Sequence, residues 1–128
     1  MEKLRIARPT DNMVEIIHFY HDGLGLEILG SFEDHDGFDG VMLGDSGGIY
    51  HLEFTHHRDH TVGQAPTQDN LLVFYLPDED EWQQTVDRMH SHGYEPVKSY
   101  NPYWDVCGQT FEDIDGFRVV LQNASWDA

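Results

Sequence analysis

Hydrophobic positions change period several times along the chain, and each change marks an element. Leu4 and Ile6 alternate with Arg5 and Ala7, the period-two pattern of a strand over residues 3–8. Pro9-Thr10-Asp11-Asn12 supplies turn and helix-cap chemistry. Met13, Ile16, Ile17 and Tyr20 then recur at helical spacing on one face, and Gly23 and Gly25 stop that helix. Strands are predicted over 26–32 and over 38–43, the latter bounded by Asp-Gly and Gly-Asp turns. A cleaner strand follows over 49–55, with Tyr50, Leu52 and Phe54 on one face and His51, Glu53 and Thr55 on the other. Residues 56–70 are polar, contain Gly63 and Pro66, and read as the one long connection.

The order then repeats. Leu71 to Leu76 is almost unbroken apolar sequence, as in a strand covered on both faces. Pro77-Asp78-Glu79-Asp80 caps a helix whose apolar face is Trp82, Val86 and Met89, with Gly93 as its stop. Strands are predicted near 94–99, 107–112 and 117–122, the last two joined at Asp115-Gly116. Gly25-Leu26-Glu27 and Gly93-Tyr94-Glu95 close the two helices at the same offset. The chain is strand-helix-strand-strand-strand twice over, which points to an internal duplication. The reading is one α+β domain over 1–128, with modules about 1–57 and 70–124.

Two motifs carry a family resemblance. Phe19-Tyr20 is followed by Gly23-Leu24-Gly25-Leu26, and Gly108 is followed by Thr110-Phe111-Glu112-Asp113-Ile114-Asp115-Gly116-Phe117. With this order of elements the whole chain resembles the vicinal oxygen chelate superfamily of glyoxalases, bleomycin-resistance proteins and extradiol dioxygenases. Ile114 stands where the family motif usually has proline. The resemblance implies two tandem βαβββ modules forming a curved mixed sheet with a central cavity. It leaves the reaction open, because one fold hosts many functions.

The resemblance also implies four metal-ligand positions, on the first and fourth strands of each module. They fall on Arg5, on Glu53, within Leu72 to Phe74, and on Val120. Only Glu53 is a competent donor, and an arginine beside it opposes a cation. The expectation is therefore no metal and no cofactor, with an Arg5–Glu53 ion pair where the ion would sit. The alternative is a divalent ion held by Glu53, by His51 two residues away on the same strand face, and by further donors. The cluster His56, His57, Asp59 and His60 is expected to lie in the polar connection.

Composition narrows the partners. In 128 residues, 24 Asp and Glu face 7 Lys and Arg, a formal charge of -17. Such a chain repels nucleic-acid phosphates and anionic membranes. No stretch approaches the roughly 20 apolar residues of a membrane span. Met-Glu-Lys-Leu-Arg-Ile has no apolar core of a signal peptide, so a cytoplasmic location is expected. Cys107 is the one cysteine, which leaves no internal disulfide.

A small organic molecule is the expected partner, in a sheet-lined cavity of a homodimer. Phe74, Asn101, Tyr103 and Trp104 are candidate lining residues, and Arg5, His51, Glu53 and Arg118 a candidate charged set. Residues 101–105 read equally as cavity wall or as an aromatic lid completing the core, and Arg118 as cavity group or as a side chain reaching solvent. Two functional readings result. One is a metal-independent binder sequestering a cationic or aromatic compound, as bleomycin-resistance proteins do. The other is a glyoxalase-like lyase, isomerase or dioxygenase. A metal-free enzyme with Glu53 as general base is a further possibility.

Overall fold

Alternation near the N-terminus produces β1 (Leu4–Pro9), the first strand of a computed structural model that describes residues 2–127 and divides into units 1–63 and 64–128. In the first unit β1 is followed by α1 (Met13–Ile17) and a π-helical turn, His18–Gly23. Then come β2 (Glu27–His35), β3 (Phe38–Gly44) and β4 (Tyr50–His57). The strands form one open sheet in the order β1-β4-β3-β2, with β1 parallel to β4 and the other pairs antiparallel.

The face predicted to be apolar is the buried one. Val41 pairs with Phe54 and Leu43 with Leu52 across the β3–β4 ladder, and all four are buried. Ile16, Phe19 and Tyr20 cover them, with the Tyr20 ring 4.8 Å from Phe54 and 4.7 Å from Phe19. Each such side chain contributes about 1.5–3 kcal/mol by leaving water. The predicted single helix differs at its end. It widens over His18–Gly23, so that the Leu24 amide donates to the Phe19 carbonyl five residues back. His21 Nδ1 meets the Leu26 carbonyl at 2.6 Å and ties the turn to the start of β2. Gly40 lies against the Phe32 ring, which a Cβ there would push aside.

The second unit contains β5 (Leu71–Tyr75), α2 (Glu79–Ser91), a short 3-10 turn (Pro102–Asp105), β6 (Gly108–Glu112) and β7 (Arg118–Gln122). The sheet order is β5-β7-β6, with β5 parallel and β6 antiparallel to β7. Asp78 caps α2 by accepting from the amides of Asp80 and Glu81. The Trp82 indole donates to the Leu121 carbonyl at 2.9 Å, and Val86 and Met89 are buried. The strand predicted over 94–99 does not form. Pro96 has no amide to donate to a ladder, and the Ser99 amide turns to the Asp105 carboxylate at 3.3 Å. Only a single bridge, Val97 to Thr110, is left of that pairing. The class is α+β in two open sheets, and no helix among the described residues is long and apolar enough to cross a membrane.

Candidate functional site

The parallel β1–β4 ladder sets Arg5 beside His51 and Ala7 beside Glu53. These side chains share the sheet face opposite α1, because side chains two apart on a strand point the same way. Arg5 then spans two positions of β4. Its Nε donates to His51 Nε2 at 2.9 Å, and its Nη1 donates to Glu53 Oε2 at 3.1 Å. The expected ion pair is present, and His51 joins it as a third member.

Two consequences follow from donor counting. His51 Nε2 is an acceptor here, so the neutral ring carries its proton on Nδ1. Both groups that would ligate an ion already face a permanent cation. The Arg5 side chain is 50% exposed and that of Glu53 14%, so the set opens outward through Arg5. In the second unit Val73 is the ladder partner of Val120, and both are apolar. Among the described residues no group of three or more His, Cys, Asp or Glu side chains is arranged to hold a metal ion. The donors present do not fit the ion that the fold implies.

Other candidates are placed differently. Phe74 pairs with Leu121, and Leu121 shares its face with Val119 and its partner Phe111, whose ring is 6.2 Å from His90 of α2. Phe74 is thus on the helix side of its sheet, opposite Val120; an apolar run without a period had left its face undefined. Arg118 does not reach solvent. It is buried, with Nη2 on Glu112 at 3.1 Å and Nη1 on the Lys98 carbonyl at 3.1 Å.

Asn101 caps the 3-10 turn by accepting from the Tyr103 amide at 3.1 Å. Tyr103 is exposed and Trp104 half-buried, their rings edge to face at 4.9 Å. They form a surface aromatic pair on that turn. His56 and His57 belong to β4 rather than to the connection, because Phe38 and Asp39 of β3 extend the ladder to them. His57 therefore shares the face of His51 and Glu53, which the i, i+2 spacing carried as a signal. His56 points the other way, its Nδ1 2.9 Å from the Thr10 carbonyl.

The chain matches the models of the YycE-like N-terminal domain over residues 4–55 and the YycE-like C-terminal domain over 69–123. It is 45% identical over 122 residues to the uncharacterized protein YycE of Bacillus subtilis, covering 95% of this chain and 88% of that protein. The crystal structure of a YycE protein from Bacillus subtilis superposes with a TM-score of 0.91 at 43% identity, over 99% of this chain and 93% of that one. The fold is shared with a trypanothione-dependent glyoxalase I of Leishmania major, with a TM-score of 0.73, 18% identity and coverage of 97% and 87%. It is shared too with TnmS3, an antibiotic-binding protein of Streptomyces sp. CB03234, with a TM-score of 0.64, 17% identity and coverage of 95% and 94%. Its fold is that of glyoxalase and fosfomycin- and bleomycin-resistance protein structures, and the chain itself belongs to the YycE-like family.

Proposed function

We propose that this protein binds a small organic molecule without a metal ion, on the open face of the first sheet where Arg5, His51 and Glu53 meet. The observation that carries the reading is the pair of bonds from Arg5, at 2.9 Å to His51 and 3.1 Å to Glu53. A guanidinium fixed there supplies the positive charge that an ion would have supplied, and it uses the lone pairs an ion would need. A ligand then meets directional hydrogen-bonding groups: the outer edge of Arg5, the Nδ1–H of His51 and the second oxygen of Glu53. TnmS3, an antibiotic-binding protein of the same fold, supports binding of a small organic molecule as the use of this fold here.

The ligand class is a cationic or aromatic compound, and for a cation the formal charge of -17 supplies long-range attraction. Isothermal calorimetry with a cationic antibiotic of the bleomycin type, at low and at moderate salt, tests this. Saturable heat that persists in moderate salt and falls with Glu53→Gln is expected. Absence of heat in both buffers contradicts the sequestration reading, and heat lost on adding salt marks non-specific attraction by the acidic surface. A homodimer is part of the same proposal, since β1 and β5 each stand at the end of their sheet. Sedimentation velocity at micromolar concentration should give a dimer, and a stable monomer removes that part.

A further inference from the structure

At the C-terminal end of β4 the first sheet holds a hollow of about 280 Å³, lined by Pro9, Phe38, Thr55, His57, His60 and Val62 together with Thr10. This volume exceeds the about 150 Å³ that admits benzene and falls just short of the range of about 300–1,000 Å³ for drug-sized ligands. One ring with a short substituent is the size that fits. The wall made by Val62 is held in place, because the Asp11 carboxylate accepts from the amides of Val62 at 2.9 Å and Gly63 at 2.8 Å. Those two amides also hold the Asp11 carboxyl below its ordinary value of 3.8.

Two imidazoles give the hollow its polarity. His57 Nδ1 and His60 Nδ1 lie 2.7 Å apart, with the rings edge to face at 4.4 Å. The Asp59 amide donates to the same His57 Nδ1 at 3.2 Å, so that nitrogen is an acceptor. His60 Nδ1 must then be the donor of the pair, and in the neutral ring His60 Nε2 is left as an acceptor. His57 thus orients His60 as a third group orients a base in catalytic triads. The Phe38 ring packs edge to face against His57 at 4.7 Å.

We infer that this hollow is a second binding site, for a single aromatic ring that bears a hydrogen-bond donor, of the phenol or aromatic-amine class, with the donor paired to His60 Nε2. The inference goes beyond the Arg5 set and does not depend on it. An anionic ring is disfavoured, because it brings no donor to His60 and meets a chain of formal charge -17.

The test uses 4-methylphenol, toluene and benzoate as probes against the full chain, read by imidazole nitrogen shifts and by methyl shifts of Val62. Saturable shifts at His57, His60 and Val62 are expected, with 4-methylphenol at least threefold tighter than toluene and benzoate silent. His60→Phe keeps a ring in place and removes the acceptor, so the preference for the phenol should disappear while toluene still binds. Val62→Trp fills the hollow and should remove all shifts, and Asp11→Ala, which releases the wall from its carboxylate, should weaken every probe severalfold. Equal affinity for phenol and toluene in the unaltered protein, a preference that survives His60→Phe, or no shift with any probe would each overturn the inference. None of these outcomes touches the calorimetric test of the Arg5 set, so the two sites fail separately.

Discussion

The fourth strand of the first unit carries His51 and Glu53 beside Arg5 of its parallel neighbour, whereas the equivalent strand of the second unit carries Val120 beside Val73. The first strand pair carries Arg5 and Arg8 and the second Arg118, and Arg5 and Arg118 are used differently. The Arg5 side chain is 50% exposed and bonded to two side chains on the same sheet face, His51 and Glu53. That of Arg118 is 6% exposed and holds Glu112 together with the carbonyl of Lys98, next to the stretch where Pro96 prevents a fourth strand. A half-exposed ion pair contributes little to stability and keeps its groups available to a ligand. A buried one is costly to break and offers nothing to solvent. The duplication therefore separates the tasks: the first sheet displays charge, and the second uses charge to pin irregular backbone.

The largest expected effect sits in the second unit. Glu112→Ala leaves the Arg118 guanidinium buried with one carbonyl partner and should cost about 3 kcal/mol in urea unfolding at unchanged m-value. Glu53→Ala should cost under about 1 kcal/mol, because Arg5 returns to water. Equal losses for the two substitutions would break the contrast between the units. A smaller effect is expected at Asn101, whose side chain caps the 3-10 turn. Asn101→Ala should cost about 0.5–1 kcal/mol and move the fluorescence of Trp104 more than that of Trp82.

The smallest effect is pH-dependent and lies at the β2–β3 hairpin. The Arg58 side chain, followed by the Asp34 amide, holds the Asp39 carboxyl below its ordinary value of 3.8. A depressed carboxyl stabilises the fold above its unfolded value and loses that contribution as pH falls through the folded value. Asp39→Asn should therefore unfold at lower urea than the unaltered protein at pH 6, and the difference should shrink from about pH 4 downward. A difference that is constant from pH 6 to pH 2 would show that the carboxylate charge plays no part.

The legible parts of this molecule are those with a period. Strict alternation over Tyr50 to Thr55 put His51 and Glu53 on one face of β4, whereas Arg5 beside them was implied by the family resemblance and is seen in the β1–β4 register. Leu71 to Leu76 has no such period, so the side on which Phe74 falls was undetermined until β7 supplied the register. The extension of β4 to His57 depends on pairing with Phe38, a contact between segments far apart in sequence. The widened turn at His18–Gly23 shares its apolar spacing with an ordinary helix and left no mark in the pattern. One of the two partners of Arg118 is a main-chain carbonyl in an irregular segment, and no side-chain spacing encodes it.

Metal content of protein purified without a histidine tag, measured by mass spectrometry on the unaltered chain and on Glu53→Gln, bears most directly on the proposal that Arg5 has replaced an ion. The proposal predicts far less than one divalent ion per chain in both proteins, with Arg5 bonded to His51 and Glu53 at the distances given above. An ion near one per chain in the unaltered protein, lost in Glu53→Gln, would contradict it and turn the first sheet into a metalloenzyme site.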